Sequence, residues 1–498
     1  MGKTITIDPV SRLEGHGKIT IILNDEGDVD RAFFQVPELR GFEAFCIGRP
    51  AEDMPQITSR ICGVCPTAHH MAGTKALDAL YQVKPPEAAR AVRELFYNMF
   101  IFEDHLLHFY YLGGPDFIVG PDAAPASRNI LGVIEKVGTD TARRVLEIRK
   151  RCRNLMSAIG GKALHPVLGL PGGVAKAMSE EMRGDMQRFA RDALDFAGFT
   201  LAVFEKIVLK NKKYLEMLLS EAYFDETHYM GLVDDNNKVN FFGEKVRVVD
   251  TKGNQVELFA PQEYTNALAE HVEEWSYVTF PYLKKVGWKG FVSGDKSGLL
   301  RVAPLARLNA SDGMATPRAQ EEYERLYETL GGKPAHNTLA WHWARLVEAV
   351  YAAERIRELA DAEVLTGPDI RDMDLKVPKT GVGIVEAPRG TLIHHYETDE
   401  KGIITRANLM VATLFNSAPI CLSIEKAARQ LIQGGEVSEG ILNRIEMAFR
   451  AYDPCFSCAT HSLPGKMPLM VTLRDGSGNF LGTLVRGGDG GQRVVRKH

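Results

Sequence analysis

Two C-x-x-C pairs lie near opposite ends of this 498-residue chain, and each is followed by histidine. The first pair is Cys62 and Cys65 in "RICGVCPTAHH", and the second is Cys455 and Cys458 in "DPCFSCATH". A C-x-x-C turn directs two thiolates at one point, so two such turns can form a four-sulfur site for a soft or borderline metal. A fold that uses both pairs for one site must bring the two ends of the chain together.

The cysteine count separates these pairs from a disulfide framework. Seven cysteines are few for this length, and the number is odd. Cys46, Cys152 and Cys421 lie in mixed or apolar sequence and are predicted to be buried. From spacing alone, a structural zinc site remains open for the other four thiols. Against it, such sites usually take their ligands from one short segment, and a chain this long does not need a metal to make a core.

Composition excludes several classes of protein. The apolar fraction of 45% is ordinary for a soluble globular protein, and the net charge of −4 indicates no general attraction to nucleic acid. No run approaches the roughly 18 apolar residues of a membrane span. The amino terminus has neither an apolar signal core nor a twin arginine. We therefore predict a cytoplasmic protein without direct membrane insertion.

The apolar pattern is strand-like at both ends and helical in the middle. Alternation predicts strands in "KTITID" and "HGKITIILNDEGDVDRAFFQV", and "TDEKG" joins two more strands near residue 400. Longer periodic segments predict helices over residues 85–112, 139–161, 179–219 and 337–363. Residues 222–335 are predicted to be mostly loops around one short β segment. Because no repeat or linker divides the chain, we predict one predominantly helical α+β unit, with a central helical bundle and β-containing lobes formed from both chain ends.

The chain resembles the large, catalytic subunit of [NiFe] hydrogenases over nearly its whole length. The motifs that carry this resemblance are "RLEGHGK", "RGFEAFCIGRP", "RICGVCPTAHH", "HFYYLGGPDF", "HPVLGLPGG", "EAPRGTL", "ATLFNSAP" and "DPCFSCATH". The "CATH" ending, the length and the missing export signal are most similar to the cytoplasmic, multimeric group that couples to nicotinamide, F420 or heterodisulfide-reductase partners. The resemblance implies reversible heterolytic cleavage of H2.

The resemblance also implies a nickel–iron centre whose iron carries carbon monoxide and cyanide. Cys62 and Cys455 would bind nickel alone, and Cys65 and Cys458 would bridge nickel and iron. Glu14, in "RLEGH", matches the glutamate that relays the proton from the terminal Cys455. Spacing alone would leave Glu14 as a solvated surface carboxylate.

Arg389, in "EAPRG", matches an arginine that overhangs the metal site. Its fixed charge would polarise bound hydrogen and contact a cyanide ligand, since a guanidinium presents several donors in one plane. The resemblance implies that Asp116 and Asp453 orient this guanidinium. The alternative is a hairpin arginine that pairs with Glu386.

Further residues are implied around the metals. Pro388 and Thr413 would line the diatomic ligands, and His69 would donate a hydrogen bond to a bridging sulfur. A satisfied core histidine remains the alternative for His69. Glu43 and His461 match the ligands of a separate magnesium-like ion. Four other histidines are predicted to serve packing or hydrogen bonding: His16, His70, His105 and His108.

Electrons must leave through another polypeptide. The chain has no further C-x-x-C arrays for iron–sulfur clusters and no dinucleotide-binding fingerprint. The implied partners are an iron–sulfur small subunit, further electron-transfer subunits of the flavin, F420 or heterodisulfide-reductase type, nickel-insertion proteins and a maturation protease. Two alternatives belong to other classes: a non-catalytic zinc-thiolate scaffold, and a quinone-module subunit like those of respiratory complex I, which lack the paired cysteines.

The segment after His461 is predicted to be a separate extension. The resemblance implies a hydrogenase domain over residues 1–461 and an extension, residues 462–498, that is removed on maturation. "MPLMVTL" and "NFLGTLV" around "DGSG" predict a hairpin within this extension. The alternative is that this hairpin is a permanent part of a β lobe.

Overall fold

The computed structural model describes residues 3–462, 469–486 and 492–495. Its helices in the described part of the chain are α1 (Phe42–Cys46), α2 (Met54–Thr58), α3 (Pro66–Tyr81), α4 (Glu87–Leu107), α5 (Pro115–Ile118), α6 (Ile130–Val137), α7 (Thr139–Gly160), α8 (Glu180–Phe204), α9 (Lys212–Leu219), α10 (Tyr264–Ala267), α11 (Pro304–Ala310), α12 (Pro317–Leu330), α13 (Trp341–Asp361), α14 (Ala412–Leu431), α15 (Glu439–Arg450) and α16 (Phe456–Ala459).

The strands of the same residues form small sheets rather than one large sheet. They are β1 (Thr4–Ile7), β2 (Lys18–Leu23), β3 (Val29–Gln35), β4 (Gly169–Leu170), β5 (Gly173–Val174), β6 (His228–Val233), β7 (Lys245–Val249), β8 (Gln255–Phe259), β9 (Leu268–Val272), β10 (Thr279–Leu283), β11 (Leu300–Arg301), β12 (Thr380–Ala387), β13 (Gly390–Thr398), β14 (Ile404–Met410), β15 (Leu469–Arg474), β16 (Phe480–Arg486) and β17 (Gln492–Val495).

Two long helices, α4 and α13, form the centre of the helical part. Helix α13 packs against both α4 and α8, and α7 packs along α4. Both central helices are buried on most faces, as their sequences predict, and Trp341 and Trp343 of α13 are fully buried. No helix in the described residues is both long and apolar enough to cross a bilayer. The predicted helical centre is confirmed.

Two antiparallel sheets position the ends of the chain against this centre. The order β1-β2-β3 forms the first, and β3 packs on α14. The order β12-β13-β14 forms the second, and β12 packs on α3, the helix that follows the first cysteine pair. Gly381 and Gly383 of β12 allow this approach, since a Cβ at either residue would lie 2.2 or 2.1 Å from a carbonyl oxygen of α3. The predicted α+β class is confirmed.

The middle of the chain holds more regular structure than its sequence indicates. The sequence predicts mostly loops over residues 222–335, yet they form a four-stranded sheet in the order β11-β6-β7-β8 and the two-stranded sheet β9-β10. Strand β6 is buried at every position, so it has no polar–apolar alternation to reveal it.

The predicted hairpin of the extension is confirmed and has a third strand. Strands β15 and β16 are antiparallel, and β17 pairs with β16. Among the described strands, these three pair only with one another. Met467 and Pro468, where the predicted first strand begins, lie outside the described residues.

Candidate active site

The four cysteines of the two C-x-x-C pairs lie in two turns that face each other. Cys65 immediately precedes α3, and Cys455 immediately precedes the short helix α16, which contains Cys458. The backbone amides of Val64 and Cys65 both donate hydrogen bonds to the sulfur of Cys62, at 3.2 and 3.1 Å. Amide donors of this kind stabilise a thiolate.

The amino-terminal loop joins the second turn through its backbone. The amide of Glu14 donates to the carbonyl of Pro454 at 3.3 Å, and the amide of Phe456 donates to the carbonyl of Glu14 at 2.9 Å. Glu14 and Cys455 thus form a short parallel bridge between segments 441 residues apart. This bridge holds Glu14 beside the cysteine turn in the folded chain.

The side chain of Glu14 points at the cysteines. Its Oε2 lies 2.9 Å from the Sγ of Cys455 and accepts a hydrogen bond from the amide of Ser457 at 3.2 Å. Burial, together with the charge of Cys62, raises the pKa of the Glu14 carboxyl above its ordinary value, although its hydrogen bonds oppose this. The alternative of a solvated surface carboxylate is therefore wrong.

The four sulfurs form one buried cluster, and the predicted meeting of the two pairs is confirmed. Separations between sulfurs are 3.3 Å for Cys62–Cys455, 3.4 Å for Cys65–Cys458 and 2.9 Å for Cys455–Cys458, and all four atoms lie within 4.8 Å of one another. None of these residues is more than 5% exposed. The separations are well above the roughly 2.05 Å of a disulfide and suit donors that share bound metal.

The burial and mutual contacts of the four thiols favour a bound cation. Burial raises the pKa values of Cys455 and Cys458 well above the ordinary value. Burial also opposes ionisation of Cys62, but hydrogen bonds from the other three cysteines outweigh it and bring its pKa well below the ordinary value. One thiolate is thus stabilised by neighbouring thiols. Four thiolates in such a dry site need bound metal charge, because the thiolate is the form that ligates metal.

Arg389 lies in the turn between β12 and β13 and is paired by two buried carboxylates. Its guanidinium is 2.9 Å from Asp453 and 3.3 Å from Asp104. Glu386, the alternative partner, instead contacts Arg307 at 2.7 Å. Burial raises the pKa of Asp104 to about 7, against the opposing effect of the Arg389 charge.

The expectation that Asp116 orients Arg389 is wrong. Asp116 begins the short helix α5 and pairs with Arg12 at 2.5 Å and with Arg450 at 3.2 Å. The carboxylate that contacts Arg389 together with Asp453 is that of Asp104, in the last turn of α4, which the sequence did not predict. The sequence does contain an indication of this role, because a carboxylate inside a helix that is apolar on most faces needs a buried cationic partner.

Three other implied residues lie close to this group. The hydroxyl of Thr413 accepts a hydrogen bond from the amide of Cys455 at 3.0 Å, and Pro388 precedes Arg389 in the β12–β13 turn. The Nδ1 of His69 is 3.1 Å from Nε2 of His394, while its own Nε2 is buried without a hydrogen-bond partner in the described part of the chain. A hydrogen bond from this Nε2 to a sulfur stays a prediction.

A second group of ligand-type residues lies behind Cys458. The Nε2 of His461 is 3.5 Å from the Oε1 of Glu43, and the His461 Nδ1 is 2.9 Å from the carbonyl of Cys458. Burial raises the pKa of Glu43 to about 7. Glu270, which the sequence did not predict as a ligand, lies in β9, and desolvation of its carboxyl with the nearby charge of Glu43 raises its pKa. Two carboxyl groups with raised pKa values beside a buried histidine are an environment that a cation would stabilise.

Two family descriptions match the chain. The nickel-dependent hydrogenase family matches residues 40–131 and 294–461, and a HoxL-like family matches residues 4–39. The first match contains both cysteine pairs and ends at His461.

Individual proteins match over almost the full length. An F420-non-reducing hydrogenase iron–sulfur subunit of Archaeoglobus profundus is 48% identical over 97% of this chain and 99% of its own. The beta subunit of the NAD-reducing hydrogenase HoxS of Cupriavidus necator is 37% identical over 98% of this chain and 100% of its own. A solved NAD+-reducing [NiFe]-hydrogenase in the H2-reduced state superposes with a TM-score of 0.86 at 37% identity, over 92% of this chain and 99% of that one.

These relatives decide between the classes left open by the residues. They are hydrogenase subunits, and they support neither the zinc scaffold nor the quinone-module alternative. The buried four-cysteine cluster provides the donor set that a nickel enzyme requires. The chain belongs to the nickel-dependent hydrogenase family, as a large subunit and an oxidoreductase that acts on H2.

Proposed function

We propose that this chain cleaves H2 heterolytically and reversibly at a nickel–iron centre held by its four clustered cysteines. Cys62 and Cys455 would hold the nickel, and Cys65 and Cys458 would hold the nickel together with the iron. When bound, the centre supplies the metal chemistry that splits H2. The observation that carries the proposal is the 2.9 Å contact between the Cys455 sulfur and the Glu14 carboxyl within a buried four-sulfur cluster.

Glu14 takes the proton that H2 cleavage leaves on the sulfur of Cys455. A sulfur that binds a single metal keeps more basicity than a bridging one, so Cys455 is suited to hold a proton briefly. The raised pKa of Glu14 brings the carboxyl closer to the range in which it both accepts and releases a proton. The Ser457 amide holds Oε2 towards the sulfur, so transfer needs no large movement.

Arg389 supplies a fixed positive charge inside the buried site. Asp104 and Asp453 keep its guanidinium in place, and its Nε has no partner among the described residues, which leaves a donor for a ligand. We propose that Arg389, Pro388 and Thr413 surround the carbon monoxide and cyanide ligands of the iron.

A metal analysis with infrared spectroscopy tests the centre. We expect nickel and iron in the active protein, together with infrared bands of metal-bound carbon monoxide and cyanide, which no amino acid produces. Zinc alone, with none of these bands, would contradict the nickel–iron assignment and favour a structural site.

Glu43 and His461 are proposed to hold a second, magnesium-like ion behind the cysteines. A carboxylate oxygen suits a hard cation, whereas histidine suits it less, so the composition of the site also accommodates other divalent ions. The carboxylate of Glu270 interacts electrostatically with both Glu43 and His461 and adds a further oxygen donor to this group.

The electron partners are proposed from the relatives. Their names describe F420-non-reducing and NAD-reducing hydrogenases, and one is called an iron–sulfur subunit. We propose an iron–sulfur small subunit, followed by flavin-containing or heterodisulfide-reductase-type subunits rather than an F420-reducing one. We also propose that the assembly is cytoplasmic and that nickel-insertion proteins load it.

We propose that residues 462–498 are removed by a maturation protease after nickel enters. The family match ends at His461, and the described strands of the extension form a sheet of their own. A chain that continues past His461 must leave a packed region where Cys458 and His461 both face inward. Cleavage would let the last residues close over the site.

The intact mass of the active, nickel-loaded subunit tests this cleavage. We expect a mass that ends at His461, and accumulation of the full 498-residue form when nickel is withheld. Active protein that retains residues 462–498 would show instead that the three-stranded sheet is a permanent part of the fold.

A further inference from the structure

A histidine–glutamate pair lies on the surface side of Glu14, and neither residue has a role in the site described so far. The Nδ1 of His16 is in short contact with Oε1 of Glu38. The His16 side chain is 71% exposed, whereas that of Glu38 is 19% exposed. The pair therefore spans the boundary between the protein interior and its surface.

Ser457 connects this pair with Glu14. Its amide donates to the Oε2 of Glu14 at 3.2 Å, and its hydroxyl donates to the Oε2 of Glu38 at 3.4 Å. The Ser457 side chain is also hydrogen-bonded to the Glu14 carboxyl. The serine thus contacts one carboxyl group that faces the cysteine cluster and another that faces the surface.

Gly15 leaves the space that this arrangement needs. It has a φ of +87°, and a Cβ at this position would lie 2.8 Å from the Ser457 amide nitrogen and 3.2 Å from the Oε2 of Glu38. A side chain here would separate Glu38 from Ser457, and its backbone conformation would be strained.

We propose that Ser457, Glu38 and His16 carry the proton from Glu14 to the outer surface of this subunit. The proposal rests on the role of Glu14 proposed above and extends it outward. It makes His16 the terminal proton carrier, a role that an exposed imidazole can perform near neutral pH because it both gains and loses a proton there.

The transfer moves one proton and leaves every group as it began. Glu14 releases a carboxyl proton, the Ser457 hydroxyl accepts it while giving its own proton to the Glu38 carboxylate, and Glu38 passes a proton to Nδ1 of His16. His16 then releases a proton from Nε2 to water or a buffer base. Exchange with solvent at the exposed ring, in which Nδ1 loses a proton to water and Nε2 gains one from water, restores the starting tautomer.

The electrostatics of the pair agree with this order. The hydrogen bond and charge of Glu38, with a smaller effect of Glu14, raise the pKa of His16 above its ordinary value. The imidazolium is therefore stabilised beside the group that delivers the proton. Glu38 and Glu14 are the charged groups that act on this ring among the described residues.

The assembled, metal-loaded enzyme with His16→Ala tests the terminal carrier. In weakly buffered solution we expect exchange between D2 and solvent protons to fall roughly tenfold or more, less than for a group that acts on the reacting atoms, because water partly replaces an exposed carrier. Added imidazole should restore most of the rate. Undiminished exchange, or a loss that imidazole does not restore, would overturn the proposal.

His271→Ala is the matched control. His271 is also a partly exposed histidine in contact with a glutamate, Glu273, at 2.9 Å, but neither residue touches Glu14, Glu38 or Ser457 in the described contacts. We expect exchange to be unchanged and insensitive to imidazole. An equal imidazole effect in this variant would mean that imidazole acts elsewhere.

A readout independent of turnover comes from the ring itself. In protein labelled with ¹³C at the histidine rings, Glu38→Gln should lower the pKa of His16 towards the ordinary value of about 6.5, because the stabilising carboxylate is gone. An unchanged His16 pKa would show that the two side chains do not interact in solution.

Failure of this extension is distinguishable from failure of the Glu14 proposal. If Glu14→Gln abolishes exchange and imidazole does not restore it, while His16→Ala leaves exchange unchanged, only the outward path is wrong. If Glu14→Gln itself exchanges normally, the proposed role of Glu14 is wrong, whatever His16 does.

Discussion

Replacement of Cys455 by serine is expected to remove nickel and hydrogen turnover together. Cys455 is fully buried, and its sulfur lies 3.3 Å from Cys62 and 2.9 Å from Cys458, so its replacement removes one of four clustered soft donors. The hydroxyl of serine does not ionise near neutral pH, and it is a poor ligand for soft metals. Because changes to groups that merely support a ligand cost roughly 10–100-fold, we expect nickel affinity to fall by at least about 100-fold.

Metal content and activity of the purified variant check this result, and Cys152→Ser is its control. Cys152 is equally buried, but its sulfur donates to the carbonyl of Met99, a contact that a serine hydroxyl can also make. The control should keep nickel. Full nickel occupancy and activity in Cys455→Ser would mean that the ligand set is assigned incorrectly.

Replacement of Glu14 by glutamine is expected to separate proton transfer from metal binding. Glutamine has the same shape and can still accept the Ser457 amide hydrogen bond, but it cannot take up and release a proton. We expect assembled metal, near-normal infrared bands, and hydrogen–deuterium exchange reduced by about 10²-fold or more, the lower end of the range for loss of a positioned acid–base group.

Arg389→Lys provides a contrast within the same site. Lysine keeps the charge but loses the planar fork that contacts Asp104 and Asp453 together. Turnover should fall and the infrared bands should shift, while the path through Glu14 persists. Normal exchange in Glu14→Gln would show that the proton leaves the cysteine cluster by another route.

The wrong prediction for Asp116 reflects a choice between two buried aspartates. Asp104 and Asp116 are 12 residues apart, and both are carboxylates in a segment that the sequence predicts to be buried or to border a buried helix. Which of them faces Arg389 depends on how α4 and α5 pack against the β12–β13 turn. No local spacing rule reports that packing, so the resemblance alone pointed to the wrong aspartate.

The contacts among His16, Glu38 and Ser457 also could not be predicted from local sequence spacing. His16 and Glu38 are 22 residues apart with β2 and β3 between them, and Ser457 lies more than 400 residues further along the chain. Their contact depends on the backbone bridge between Glu14 and Cys455. Sequence spacing therefore predicts only a packing or hydrogen-bonding role for His16.

The sequence by itself determined the donor chemistry: two thiol pairs with fixed local geometry, a helical centre and strands at the amino-terminal end. A C-x-x-C spacing constrains sulfurs within one turn, and apolar periodicity constrains which face of a helix is buried. Only the tertiary structure decided which carboxylates face Arg389, that Glu386 pairs with Arg307, and that Glu14 contacts both Cys455 and Ser457. These pairings join segments separated by tens to hundreds of residues, and they depend on the burial of whole helices and sheets against each other, which short-range spacing does not encode.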